Sequence, residues 1–116
     1  MATILPTTTE NKFEFVKIQA TSTATADTFT LNNLELFDSI TISADGLSAD
    51  TLVFSRSIDG TSFKAILDDF GANPFAAPAA DQIQTIPLAN ITDLKMVRTG
   101  EADGSVVITI LLNRKK

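Results

Sequence analysis

The chain contains no cysteine, histidine, tryptophan or tyrosine. Without cysteine there is no disulfide, no thiolate nucleophile and no cysteine-ligated zinc or iron–sulfur centre. Without histidine the commonest general base and the commonest transition-metal ligand are both missing. A Ser–His dyad is therefore excluded. A Ser–Lys pair would have to draw on six lysines, two of them at the extreme C-terminus. No G-x-S-x-G elbow and no glycine-rich phosphate loop occurs. Most enzyme classes are excluded on these grounds, and no catalytic residue and no cofactor is expected. Long apolar runs are also lacking. The most apolar stretch, Val106 to Leu112, is seven residues long, whereas a spanning helix needs about 20. The opening MATILPTTTENK has neither a basic n-region nor an apolar core of secretory length, so no signal peptide and no membrane partner is expected.

Positive charge is scarce too. Nine basic against 14 acidic residues give a formal net charge of −5. Such a chain is poorly suited to neutralising phosphate backbones, and a nucleic-acid partner is not expected. At 116 residues, 44% of them hydrophobic and 20% charged, the composition is that of one globular domain.

What is present is period-two alternation punctuated by Gly, Asp, Asn and Pro, the pattern of an all-β domain. About eight short strands are predicted, near residues 12–19, 28–31, 34–43, 52–58, 63–67, 83–86, 94–98 and 106–112. Phe13 and Phe15 frame the first, and Leu34, Leu36, Ile40 and Ile42 share one parity in the third. The best helical candidate, Lys64 to Phe70, is too short to stand alone. Asp-Gly occurs at Asp45-Gly46, Asp59-Gly60 and Asp103-Gly104. Between apolar runs this pair favours tight turns, because both residues tolerate positive φ. The predicted fold is an antiparallel β-sandwich, jelly-roll-like, with Phe15, Ile40, Ile42, Phe54, Leu94, Met96, Ile108 and Ile110 in its core. Two strand–Gly–strand units, Ser39–Phe54 and Asp93–Ile108, read as similar hairpins. The predicted organisation is an N-terminal arm over 1–11, one sandwich over 12–113 and a basic tail over 114–116.

The acidic residues do not follow the spacing of an EF-hand loop. Turn formation accounts for the Asp-Gly aspartates, and Asp68-Asp69 with Asp81 is the better, still weak, metal candidate. A carboxylate pair for glycoside hydrolysis would need a cleft and an aromatic platform, and no Trp or Tyr supplies one. Two segments lie outside the strand pattern. The arm carries Ile4-Leu5-Pro6, and the stretch from Phe70 to Ala80 holds Phe70 and Phe75 without a single charge. Apolar side chains on such segments need cover, either from the core or from a partner. Ile4, Leu5, Phe70 and Phe75 are accordingly the candidate interface residues. The tail, Arg114-Lys115-Lys116, is positive on a remainder of 6 basic and 14 acidic residues, or −8. It reads as a solvated end or as a contact with an acidic subunit.

Three segments, in order, resemble one family. Ser55-Arg56-Ser57-Ile58-Asp59-Gly60-Thr61-Ser62-Phe63 is similar to an S-x-D-G hairpin of small β-sandwich proteins in tailed bacteriophage particles. Asp69-Phe70-Gly71-Ala72-Asn73 resembles the turn that follows it. Leu94 to Gly100, with Gly104-Ser105-Val106-Val107-Ile108-Thr109-Ile110, resembles the closing hairpin. Gly60-Thr61 stands where the family usually has Gly-Gly. The likeness spans roughly residues 34–112 and implies an accessory virion component, a head-decoration or cement protein on the capsid exterior, made in the host cytoplasm. Its implied partners are the major capsid protein or other virion subunits, and a homo-oligomer is implied as well. The alternative reading is a carbohydrate- or receptor-binding module of a tail or fibre.

Overall fold

The computed structural model describes residues 3–47, 49–66, 83–87, 91–100 and 103–115. Among these are nine strands: β1 (Thr7–Asn11), β2 (Phe15–Ser22), β3 (Thr28–Leu31), β4 (Phe37–Asp45), β5 (Thr51–Ser57), β6 (Lys64–Ala65), β7 (Ile83–Pro87), β8 (Asp93–Thr99) and β9 (Val106–Arg114). They form a sheet of order β1-β2-β9-β4-β7 facing a sheet of order β3-β8-β5-β6. All the strand ladders are antiparallel. The partnerships nest: β5 with β6, β4 with β7, β3 with β8, β2 with β9. Rolling this doubled-up ribbon joins β4 to β9 and β5 to β8 and splits it into two facing sheets. That is a jelly roll, the predicted class, with β1 added at one edge.

Alternation explains the core. In β9, Val106, Ile108, Ile110 and Leu112 face inward and are buried, while Val107, Thr109 and Leu111 are half-buried on the outer face. Ile40, Ile42 and Ala44 of β4 meet Leu52 and Phe54 of β5 and Leu94 and Met96 of β8 in one cluster. Burying each large apolar side chain is worth roughly 1.5–3 kcal/mol, so these rows fix the register: a slip by one residue would turn them to solvent. Seven of the eight predicted core residues are buried, and Phe15 is half-buried.

Several local expectations are corrected. The predicted arm does not end outside the sheet. Residues 7–11 pair with β2 as its edge strand, from Thr7↔Gln19 to Asn11↔Val16, with a bulge between Thr8 and Glu10 that blunts the edge. The first predicted strand starts too early: Phe13 sits at a hairpin tip, not in a core row. In the third, a 3-10 turn at Leu34–Leu36 breaks the parity, burying Leu34 and leaving Leu36 out. Ile58 likewise leaves its row at the end of β5 and is exposed. Arg114 belongs to β9 and not to a free tail. Of the three Asp-Gly sites only Asp59-Gly60 closes a hairpin, between β5 and β6. Asp45-Gly46 and Asp103-Gly104 lie where the chain passes from one sheet to the other, so the two similar units are corners, not hairpins. An alternating strand reads the same whether its neighbour lies beside it or across the core.

Gly46 shows what a corner demands. Its φ is +91°, and a Cβ there would lie 2.6 Å from the Ser105 carbonyl oxygen. Only glycine takes that conformation and that approach without strain.

Candidate functional site

The polar side chains concentrate at the two ends of the roll. At one end the last inward position of β8 is Arg98, only 1% exposed. Its Nε and Nη2 donate to Asp50 Oδ2 at 3.2 and 2.8 Å. Nη1 donates to the Ser22 carbonyl at 2.9 Å, and Nη2 to the carbonyls of Asp103 and Gly104 at 2.6 and 2.9 Å. One guanidinium thus fastens the turns after β2, before β5 and before β9. Asp103 adds a second tie, its carboxylate accepting from the Ala49 and Asp50 N–H groups at 3.0 and 2.9 Å. Asp27 closes the turn after β2, accepting from the Ser22 hydroxyl and the Thr23 and Ala24 N–H groups at 3.0 Å each. Burial works against its charge. The N–H groups of Ala24 and Thr23, the Ser22 hydroxyl and nearby Arg98 outweigh that and hold its carboxyl below the usual range.

This network is structural chemistry. Among the described residues no buried side-chain nitrogen or oxygen lacks a hydrogen-bond partner. No group of three or more Asp and Glu among them is placed to hold a metal ion. Asp68, Asp69 and Asp81 lie outside the described residues.

The Asp59 carboxylate, in the β5–β6 hairpin, is also consumed locally. It accepts from the Ser62 and Thr61 N–H groups and the Ser57 hydroxyl at 2.9, 2.8 and 2.8 Å. These bonds lower its pKa to about 2, so it is a turn-former fixed as the anion.

The four candidate interface residues fare differently. Ile4 packs against the core and its N–H donates to the Thr28 carbonyl at 2.8 Å, tying the arm to the free edge of β3. Leu5 stays 84% exposed, above a shallow recess of about 450 Å³ bordered by Thr7, Gln19 and Thr21. Phe70 and Phe75 lie outside the described residues.

The opposite end of the roll carries two apolar residues that the sequence reading set in predicted strands. Phe13, at the tip of the β1–β2 hairpin, is 95% exposed, and Leu36 is 65% exposed. The tip is fastened on several sides. Lys12 N–H donates to the Phe15 carbonyl at 2.8 Å and Arg114 N–H to the Glu14 carbonyl at 2.9 Å. Arg114 Nε donates to the Lys12 carbonyl at 3.3 Å and Nη2 to Asn11 Oδ1 at 2.9 Å, while its guanidinium lies 5.5 Å from the Phe37 ring centroid. Lys115 N–H donates to the Leu36 carbonyl at 3.0 Å. The signal available in the sequence was Lys12-Phe13-Glu14, charges on both sides of an aromatic, which suits a turn better than a core row.

No family model and no curated protein sequence matches the chain. Solved structures do resemble it. The SPBc2 prophage-derived protein YomS aligns over 89% of this chain and 97% of its own, at 11% identity and a TM-score of 0.57. A cupin domain from Bordetella pertussis Tohama I aligns over 99% of this chain and 96% of its own, at 9% identity and a TM-score of 0.53. Peruvianin-I, a cysteine peptidase from Thevetia peruviana latex, aligns over 97% of this chain and 61% of its own, at 12% identity and a TM-score of 0.52. At such identities the likeness is one of fold: the chain is an all-β, jelly-roll-like protein similar in architecture to cupins and to a prophage-derived protein.

Proposed function

We propose that the chain is a non-enzymatic structural protein of a bacteriophage particle, a decoration or cement subunit that binds and stabilises the assembled head. The observation that carries this reading is the ordered set of phage-like segments around Ser55–Phe63 and Leu94–Ile110. They build the β5–β6 hairpin and the β8–β9 corner of the roll. The likeness to a prophage-derived protein over nearly the whole of both chains supports it at the level of fold. Two further features agree. The space between the sheets is filled by apolar side chains, with Ile40, Ile42, Met96 and Ile108 fully buried. The buried Arg98 and Asp50 hold corners together. A module of this kind acts through its surface, and repetition over a symmetric particle multiplies weak contacts. The exposed Leu5 is the arm's proposed contact with a capsid subunit, with Phe70 and Phe75 as its proposed companions.

Quantitative mass spectrometry of purified virions tests the proposal. A copy number comparable to the major capsid protein is the expected result. Absence from particles overturns it, and a few copies per particle would move the protein to the tail or a fibre.

A further inference from the structure

We infer that the Phe13 tip is a self-docking site, at which two copies of this chain pair about a two-fold axis. The inference goes beyond the virion assignment and does not depend on it. A lone exposed apolar residue is ordinary on a protein surface; three features set this one apart.

The first is rigidity. The hydrogen bonds from Lys12 and Arg114 fix the hairpin backbone on both flanks of Phe13. An aromatic side chain on a fixed tip loses little freedom on docking, which is what an interface anchor requires. The second is shape. Phe13 borders two adjoining recesses, of about 620 and 740 Å³, and with Arg114 and Lys115 it forms the rim they share. The exposed Leu36, whose carbonyl is held by Lys115, adds apolar surface at the same end.

The third feature is charge, and it selects the occupant. The smaller recess is bordered by Asn11, Lys12, Arg114 and Lys115, and by no carboxylate. The larger is bordered by Glu14 and Asp38, with Arg114 and Lys115 shared between the two. Lys12 thus lies on one side of the rim and the carboxylates on the other. A two-fold axis beside the ring sets each copy's Phe13 in a recess of its mate. It also sets Lys12 of each copy opposite Glu14 and Asp38 of the other. Isologous contacts need this kind of self-complementary patch, in which one residue meets a second and the second meets the first.

The test uses the purified full chain, without particles, in sedimentation equilibrium across a concentration series at low and high salt. The expected result is a monomer–dimer equilibrium weakened by salt. Phe13→Ser should weaken it by roughly tenfold or more. Lys12→Glu and Glu14→Lys should each weaken self-association by about as much as Phe13→Ser, since like charges then face each other twice. Mixing the two reversed variants should restore association as a heterodimer, in which both contacts regain opposite charges. All these residues are exposed, and circular dichroism melts identify any variant that fails to fold. A wild-type chain that stays monomeric overturns the inference. So does a dimer indifferent to Phe13→Ser, or a mixture of reversed variants that fails to associate. A wild-type chain that stays monomeric in vitro yet occupies particles normally would sink this inference and leave the virion assignment standing.

Discussion

Replacing Asp50 by alanine removes the carboxylate that accepts two Arg98 N–H groups at 3.2 and 2.8 Å. Arg98 cannot follow it into water. The side chain is 1% exposed and is held by the carbonyls of Ser22, Asp103 and Gly104. A guanidinium does not deprotonate at accessible pH, so the variant carries a buried charge whose counter-ion is gone. Breaking a buried pair from one side costs about 3–5 kcal/mol. Against the roughly 5–15 kcal/mol by which domains are stable, that is a large fraction. Urea unfolding followed by circular dichroism measures it, with an unchanged slope expected and a midpoint shifted strongly downward. Arg98→Met should also destabilise, but the double variant should lose less than the two single losses added together. Its coupling should be on the order of 1–3 kcal/mol, because each single change strands the other's charge. An Asp50→Ala variant that loses less than about 1 kcal/mol would falsify this reasoning, since only a relaxed or water-penetrated site gives so little.

Three further outcomes are expected. Gly46→Ala should lower stability by at least about 1 kcal/mol in the same urea assay, because the new Cβ meets the Ser105 carbonyl at 2.6 Å in a left-handed conformation. Stability should fall with acid. Asp59 and Asp27 both have depressed folded-state pKa values, so their contribution is fully present above the unfolded value of 3.8. It is lost as pH falls from there through about 2 for Asp59, and Asp59→Asn should flatten the urea midpoint over that window. Ile4→Ser should lower the melting temperature, since Ile4 packs on the core, whereas Leu5→Ser should change stability by less than about 0.5 kcal/mol. Equal effects of the two would contradict the division of the arm into a packed and an exposed residue.

The inward rows were legible because burial on one face imposes period two, and Ile40, Ile42, Ile108 and Ile110 obey it without a break. What alternation does not carry is partnership. The corners at Gly46 and Gly104 resemble hairpins locally, and only the distant rows they bring together decide that they are crossovers. Thr7–Asn11, with three threonines and no apolar row, carried no strand signal, because an edge strand exposed on its outer side needs none. Arg98 was hidden for a related reason. It occupies an inward position of β8, and its charge is tolerable there only because Ser22, Asp50 and Gly104 converge on it from elsewhere in the chain. Phe13 failed in the opposite sense, an apolar residue at the expected parity that the two-residue turn lifts out of the sheet. Ile4 and Leu5 stood out by their position off the pattern, and the structure packs Ile4 on the core while Leu5 stays exposed; the Phe13 tip needed the neighbouring Arg114 to be seen.

The nested pairing of the strands also sets an order of events in time. Of the four nested pairs, β5 and β6 are the one joined by a short turn, at Asp59-Gly60, where Arg56↔Lys64 and Ser55↔Ala65 face each other. Each outer pairing, β4 with β7, then β3 with β8, then β2 with β9, joins residues farther apart along the chain. Made alone, the outermost would have to close a loop of most of the chain. Made after the inner ones, each closes only the segments left between strands already in place, at a smaller entropic cost. The roll is therefore suited to zipping outward from one turn and locking last where β2 meets β9. Slow folding is expected of so non-local a topology, and the nesting gives it one low-entropy route.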